Sequence, residues 1–143
     1  MRSTLGTELV DRIEGTRGDV FLRADFADLG RYDAVGRALR QLVREGRLLR
    51  IGSGLYARAR ASTIDGAPTP VGSFRDLADE ALRRLGIETA PTRFERAYSE
   101  GKTTQVPSGR RVAVTKRVRR RISYNGATVS FELTGRRDRG ADR

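Results

Sequence analysis

Residues 33–56, DAVGRALRQLVREGRLLRIGSGLY, decide the fold. In the first half, apolar residues recur at i, i+4, i+7 and i+8, which predicts an amphipathic helix with one buried stripe. These apolar residues are Val35, Leu39, Leu42 and Val43. Asp33 stands where a helix N-cap is expected, and Gly46 stands where a glycine commonly follows the last helical turn. The stretch therefore opens with a helix of defined length and a polar outer face.

The pattern changes its period after Gly46. Residues 47–51 and 55–59 are predicted as two short strands, and Gly52-Ser53-Gly54 between them predicts a tight hairpin. A helix with an Arg/Gln face that leads directly into a small hairpin is the arrangement of a DNA recognition helix and its wing. The same pattern also fits a solvated helix face in an ordinary α+β domain, so the preceding segments decide between the two.

The preceding segments complete the order of a helix-turn-helix. Residues 4–14 are predicted as a first helix, residues 20–22 as a short strand, and residues 24–29 as a short second helix. With the next helix and the hairpin, this is the order of a winged helix-turn-helix, whose third helix enters the major groove of DNA. A helix over 33–45 would be about 20 Å long, enough to lie along a groove about 12 Å wide.

The outer side of this helix and its surroundings supply the candidate contacts to DNA. Arg37, Gln41 and Arg44 lie one turn apart and are predicted to reach base edges. Phosphate contacts are predicted for the two residues at the helix entrance and for the serine at the tip of the hairpin. The complete predicted set is Arg31, Tyr32, Ala34, Arg37, Arg40, Gln41, Arg44 and Ser53.

The charge of the chain also favours a polyanionic partner. Its 29 Lys and Arg residues against 18 Asp and Glu residues give a net charge of +11, which is typical of proteins that bind nucleic acid. Nearly all the cations are arginine, which binds phosphates and guanine edges well. A GC-rich genome also raises the arginine content, so this preference supports DNA binding only in part.

The residue types that the chain lacks narrow its chemistry. Without cysteine there is no disulfide and no thiolate metal site, and without histidine the commonest general base and metal ligand are missing. No phosphate-binding glycine motif occurs. We therefore expect no enzymatic activity, no cofactor and no metal. The sequence shows no apolar run long enough to span a membrane and no signal sequence. We therefore expect a cytoplasmic protein that does not contact a membrane.

Changes in composition divide the chain into four segments. A winged helix-turn-helix DNA-binding domain is predicted over residues 1–60, and a linker rich in Pro, Gly, Ala and Ser over 61–72. A smaller α+β unit is predicted over 73–133, with helices over 73–85 and 92–100. The tail, 134–143, has almost no apolar residue and is predicted to be disordered. The whole chain is thus predicted as an α+β protein.

A hairpin is predicted at the end of the second unit. Residues 111–124 alternate between apolar and polar, and Asn125-Gly126 is a strong signal for a two-residue turn back into 127–133. The resulting register matches apolar residues on one face and opposite charges on the other. The predicted pairs are Tyr124 with Ala127, Ile122 with Val129, Val118 with Leu133 and Arg119 with Glu132. The one mismatch is Arg120, which this register places opposite Phe131 on the apolar side.

The strands of this hairpin carry a concentration of positive charge. Residues 101–131 contain eight basic residues and no acidic one. On one strand, Arg117, Arg119 and Arg121 would point the same way at intervals of about 7 Å, similar to the spacing of phosphates. Two interpretations remain open: a solvated outer sheet face, or a contact with phosphates or with an acidic protein.

Residues 15–59, GTRGDVFLRADFADLGRYDAVGRALRQLVREGRLLRIGSGLYARA, resemble the N-terminal winged helix of the AbiEi-type antitoxins of type IV toxin–antitoxin systems. The motifs VFLRADF, AVGRALRQLVREG and LLRIGSGLYA carry the resemblance. The later EGKTTQVP and RRISYNG are similar to the C-terminal part of shorter relatives in the same superfamily. The resemblance implies a bacterial protein that binds operator DNA and represses its own operon. Longer members also neutralise a nucleotidyltransferase-like toxin, and the present chain is shorter than those antitoxins.

The sequence therefore predicts a sequence-specific transcriptional repressor, antitoxin-like, whose partner is double-stranded DNA of its own operator. The alternative is a protein-interaction module that neutralises a partner toxin through its basic C-terminal unit. RNA binding has less support, because the 4 Tyr and 5 Phe residues form no stacking platform on the predicted basic faces.

Overall fold

The computed structural model describes residues 4–107, 110–124 and 126–134, which fold as a mixture of α-helices and β-strands. The α+β class predicted from the sequence is thereby confirmed. The chain divides into two compact units, with the boundary between Ser73 and Phe74. In the described part of the chain, no helix combines the length and the apolar character that crossing a lipid bilayer requires.

The N-terminal unit contains helices and a four-stranded antiparallel sheet. Its elements are α1 Leu5–Glu14, β1 Val20–Leu22, a 3₁₀ helix Arg23–Phe26, α2 Tyr32–Arg44, β2 Leu48–Gly52, β3 Leu55–Ala61 and β4 Pro68–Pro70. The strands are ordered β1-β3-β2, and β4 pairs with the end of β3. One core joins helices and strands through buried Leu9, Ile13, Phe21, Phe26, Val35, Leu39, Leu42, Leu48 and Tyr56.

Polar contacts cap α1 and connect it to the segment before α2. The Thr4 hydroxyl caps the helix by accepting a hydrogen bond from the N–H of Thr7 at 3.1 Å. Near the other end, the Arg12 guanidinium donates two hydrogen bonds to the Asp28 carboxylate, at 2.6 and 2.9 Å. These bonds raise the pKa of Arg12 and lower the pKa of Asp28. The fork holds α1 against the loop that leads to α2.

Helix α2 begins earlier than its polar pattern indicated. Its N-cap is Arg31, and the predicted cap, Asp33, lies within the first turn, where its carboxylate accepts the N–H of Ala34 at 3.0 Å. An acidic side chain in the first turn still stabilises the helix, because it interacts favourably with the helix dipole. At the other end, Gly46 N–H bonds the carbonyl of Val43 and Arg47 N–H bonds that of Leu42. This pair of bonds is a Schellman motif, so the predicted helix end is confirmed.

The second predicted helix is shorter and tighter than expected. The sequence predicts a short helix over residues 24–29, and the structure has a 3₁₀ helix, Arg23–Phe26, followed by turns. Hydrogen bonds from Ala27 to Ala24 and from Leu29 to Phe26 span three residues, at 3.2 and 3.0 Å. Burial of Phe26 in so short a segment accounts for the difference, because one tight turn already delivers its ring to the core.

The predicted hairpin of β2 and β3 is confirmed. Arg50 pairs with Tyr56, and the register then shifts before Gly52 meets Leu55. Gly54 takes a φ of +65° in the turn, a conformation that glycine adopts without strain. The other edge of β3 pairs with β1, which joins the hairpin to the helices.

The prediction that residues 61–72 form a linker is wrong in part. Residues 68–70 form β4, whose Thr69 pairs with Arg60 of β3. A turn between the two strands is closed by the N–H of Ser62, which donates to the carbonyl of Ala67 at 2.8 Å. The two prolines in this segment argued against a strand in the sequence. Proline is nevertheless tolerated on an edge strand, because no hydrogen bond of the ladder is lost there. The N-terminal unit accordingly extends beyond residue 60.

The C-terminal unit combines two helices with short strands. Its described elements are α3 Phe74–Arg84, β5 Thr89–Ala90, α4 Arg93–Ser99, β6 Arg111–Val114, β7 Ser123–Tyr124, β8 Ala127–Thr128 and β9 Ser130–Leu133. The sheet order is β5-β6-β9, while β7 and β8 form a separate pair. Both predicted helices are confirmed, and Thr92 and Glu95 form the expected capping box of α4.

The predicted long hairpin of this unit is wrong beyond its tip. Tyr124 pairs with Ala127 as expected, and Val129 N–H donates to the Ile122 carbonyl at 2.9 Å. The outer pairs of Val118 with Leu133, Arg119 with Glu132 and Arg120 with Phe131 do not form, because β9 runs parallel to β6. The observed pairs are Val112 with Phe131, Ala113 with Glu132 and Val114 with Leu133.

Burial explains the change of register. Residues 112–114 are buried in succession between β5 and β9, whereas a two-stranded hairpin would leave one face exposed. The chain between Val114 and Ser123 must then leave the sheet. The turn residue Asn125 lies outside the described residues, as does the predicted disordered tail apart from Thr134.

Candidate nucleic-acid interface

Helix α2 presents a polar outer face that the fold leaves open. Val35, Leu39 and Leu42 are buried on its inner side, as predicted. With 3.6 residues per turn, the opposite side carries a set of residues that are all exposed. These are Arg37, Arg40, Gln41 and Arg44. The predicted base-contacting residues therefore share one accessible surface, named here the α2 face.

The partners of the α2 face come from the same helix. Arg37 lies 3.7 Å from Asp33, and both side chains are mostly exposed. Arg44 Nη2 donates to Gln41 Oε1 at 2.8 Å, and Gln41 Nε2 donates to Glu45 Oε2 at 3.0 Å. Exposed pairs of this kind contribute about 0–1 kcal/mol, so little free energy is lost when a ligand displaces them.

Arg40 has neither an ion-pair partner nor a hydrogen-bond partner among the residues that the structure describes. Its guanidinium is exposed in the middle of the α2 face. Together with Arg37 and Arg44 it forms a row of three cations, against which the face carries one carboxylate at each end of the helix, Asp33 and Glu45. The row has a net positive charge suited to a polyanion.

The remaining predicted DNA-binding residues lie at the N-cap and in the first turn of α2, and in the hairpin turn. Arg31 and Tyr32 are exposed at the start of α2, and Ser53 is exposed at the turn of the hairpin. Ala34 is half-buried. The turn is tied to the helical segment by a hydrogen bond from the N–H of Arg23 to the carbonyl of Gly54, at 3.1 Å.

Arg23 was missed by sequence analysis. Its guanidinium Nη2 donates to the carbonyl of Tyr32 at 2.7 Å, and its Cζ lies 3.5 Å from the centroid of the Tyr32 ring. Its Nε is buried and has no hydrogen-bond partner in the described part of the chain. The sequence signal for this arrangement is Gly36 in the middle of α2, because a Cβ at that position would overlap the Arg23 guanidinium.

The basic residues of the C-terminal unit are arranged differently from the prediction. Arg117, Arg119 and Arg121 are exposed, but they lie between β6 and β7 and belong to no strand. The prediction that these residues lie on one strand is therefore wrong, and the spacing of about 7 Å derived from it does not apply. The segment nevertheless keeps its charge on the surface, because Lys116 and Arg120 are exposed as well.

Carboxylates of the described residues do not gather into a metal site: no group of three potential metal-ligating side chains occurs among them. The acids near arginines are instead engaged in ion pairs, such as Asp79 and Glu95 with Arg75.

Comparison with known proteins yields one family. Residues 8–139 match a family of unknown function (DUF6088), so the match covers almost the whole chain. The chain matches no curated protein and no solved structure.

Proposed function

Since the chain belongs to the DUF6088 family, whose function is unknown, we propose a function from its own residues: a sequence-specific repressor that binds double-stranded DNA of its own operator. The observation that carries the proposal is the α2 face. Three arginines and a glutamine are exposed on a helix whose other side is buried, and the interactions they make with neighbouring side chains are weak.

The order of elements supports a winged helix-turn-helix. The sequence of α1, β1, the 3₁₀ helix, α2, β2 and β3, with β3 between β1 and β2, is the one expected for that fold. In this interpretation α2 is the recognition helix and the β2–β3 hairpin is the wing. The 13 residues of α2 give a length of about 20 Å, which suits a major groove about 12 Å wide.

The chemistry of the α2 face fits base edges and phosphates. Arginine binds guanine through two hydrogen bonds, and glutamine binds adenine in the same way. Arg37, Gln41 and Arg44 are assigned to base contacts, flanked by Ala34 and Arg40. Phosphate contacts are assigned to Arg31 and Tyr32 at the start of α2 and to Ser53 in the hairpin turn.

The resemblance of residues 15–59 to the AbiEi-type antitoxins supports the same assignment and adds a genetic context. In that context the protein represses the operon in which it is encoded, in the cytoplasm of a bacterium. A nucleotidyltransferase-like toxin is then the expected second partner.

The test is fluorescence anisotropy with three probes across a salt series: duplex DNA from the region ahead of its own gene, a scrambled duplex, and RNA of the same length. The upstream duplex should bind best at physiological salt. Arg37→Ala and Arg44→Ala should each weaken that binding by about 1–3 kcal/mol, or about 5- to 150-fold, and reduce the preference over the scrambled duplex.

Arg83→Ala is the matched control, because Arg83 is an exposed arginine in the last turn of α3, as Arg44 is in α2. It should bind the upstream duplex as the wild type does. Equal binding of the wild type to all three probes, lost as salt rises, would contradict sequence-specific repression.

A second candidate, neutralisation of an acidic toxin, is favoured by the basic segment between β6 and β7. Residues 116–121 contain five exposed cations, and no acid occurs from 101 to 131. Co-expression with the product of the neighbouring gene and size-exclusion chromatography would test it. Substitution of Arg117, Arg119 and Arg121 by alanine should abolish the complex and leave the preference for the upstream duplex intact.

A further inference from the structure

Gly36 occupies the middle of α2, although glycine is among the residues that least favour a helix interior. Its position is buried. A Cβ at this position would overlap the terminal atoms of the Arg23 side chain. Gly36 therefore leaves the space in which the Arg23 guanidinium lies against the helix.

Two contacts hold the guanidinium in that space, and a third holds its backbone. Nη2 donates to the carbonyl of Tyr32 at 2.7 Å, and the planar group stacks on the Tyr32 ring at 3.5 Å. The backbone N–H of Arg23 donates to the carbonyl of Gly54 in the hairpin turn at 3.1 Å. The side chain is thus ordered before any ligand binds, which lowers the entropic cost of binding.

The charge of Arg23 is not neutralised by these contacts. In the described part of the chain, its hydrogen-bond and stacking partners are a carbonyl and an aromatic ring, and no carboxylate pairs with it. Nη1 makes no hydrogen bond there. Tyr32 is 75% exposed, so the stack lies at the protein surface. The group offers a fixed, uncompensated positive charge with free donors.

The position of this group relates it to the α2 face. Gly36 and Arg40 are one turn apart, so the space that the Arg23 guanidinium occupies lies one helical turn from Arg40 on α2. We propose that Arg23, seated on Gly36 and Tyr32, is a binding site for a backbone phosphate of DNA. This inference rests on the DNA-binding function proposed above and adds a residue outside α2 and the hairpin.

Arg23→Ala tests the site in the full chain, with the upstream and scrambled duplexes as probes. Because a phosphate contact carries no sequence information, both duplexes should bind more weakly by the same factor, about tenfold. The slope of log K against log salt concentration should fall in magnitude by about one. Arg17→Ala, which removes another exposed arginine of the same unit, controls for net charge and should leave binding and slope close to wild type.

Gly36→Ala separates the phosphate contact from a structural role. The added methyl group displaces the flexible end of Arg23, while alanine strengthens the helix. This variant should therefore keep or raise the melting temperature and yet lose DNA affinity as Arg23→Ala does. The double variant should bind no more weakly than either single variant, because both remove the same contact.

Two outcomes would overturn the inference. If Arg23→Ala matches Arg17→Ala in affinity and salt slope while the wild type prefers the upstream duplex, the phosphate site is wrong and the repressor proposal stands. If Arg23→Ala weakens binding only in step with a lower melting temperature, and Gly36→Ala binds like wild type, Arg23 has a structural role alone. A wild type that binds neither duplex overturns both proposals.

Discussion

The arginines of the chain differ in what their guanidinium groups contact. Arg58 donates to a carboxylate and to three backbone carbonyls of the N-terminal unit. Arg75 is held by Asp79 and Glu95: burial lowers its pKa, but the hydrogen bonds to both acids outweigh burial and leave the pKa raised. The exposed arginines of α2, in contrast, contact side chains of their own helix or none in the described structure. Arg58 and Arg75 are thus held by carboxylates within their own units, whereas the α2 arginines remain accessible.

Arg58→Ala should destabilise the N-terminal unit by about 2–3 kcal/mol, because Asp19 and the carbonyls of Ile13, Thr16 and Gly18 lose a shared donor. Urea unfolding measures the effect. Arg60→Ala, on the same strand, removes an exposed side chain and should change stability by less than about 0.5 kcal/mol. Equal unfolding midpoints for the two variants would contradict the structural role.

Among the elements, the end of α2 is the most sharply defined. Gly46 has a φ of +79°, and a Cβ there would lie 3.2 Å from the Pro68 ring in β4. Gly46→Ala should therefore cost about 1–2 kcal/mol in urea unfolding, since alanine is strained in this region. Gly15→Ala at the end of α1 is the control, because Gly15 has a φ of −85° and should tolerate alanine. A similar stability for both variants would rule out strain at Gly46.

The elements predicted well from sequence are those that local signals define. Helix α2 carries its apolar stripe and its glycine end in its own residues, and the glycine-rich turn specifies the β2–β3 hairpin. The outer face of α2 follows directly from the same periodicity, so the exposure of Arg37, Gln41 and Arg44 was predicted as well. What these residues bind stays a prediction, because exposure alone does not specify a ligand.

The elements predicted poorly depend on partners distant in the chain. β9 pairs with β6 in a parallel register, and a parallel pair has no connecting turn from which it could be predicted. β4 is a strand because β3 has a free edge beside it, despite two prolines. Arg23 owes its position to a gap on a different element. In each case the deciding contact is tertiary, so the local pattern was silent or misleading.

At the scale of the whole molecule, net charge and the α2 face have separate effects on binding. A charge of +11 attracts any polyanion, and that attraction depends on salt because bound cations are released from DNA. Contacts to base edges are affected far less by salt. Under the proposed function, affinity at low salt therefore reports the whole molecule, and selectivity between duplexes reports the α2 face.

Raising salt from 50 to 200 mM should lower the affinity for the scrambled duplex by about 10³-fold or more if six or more phosphates are contacted. The ratio of upstream to scrambled affinity should change much less over the same range, because contacts to base edges depend little on salt. Anisotropy titrations at four salt concentrations measure both quantities. A ratio that stays at one throughout would mean that charge alone drives binding.

The parallel pairing of β6 with β9 has a consequence for the order in which the protein matures during translation. The sheet of the C-terminal unit is incomplete until Leu133 has been synthesised, since β9 supplies one edge partner of β6. The N-terminal unit ends at Ser73, well before β9. On the ribosome, the half of the chain that carries the α2 face can fold while its companion is still being made. A nascent chain stalled before β9 would then already display the arginine row.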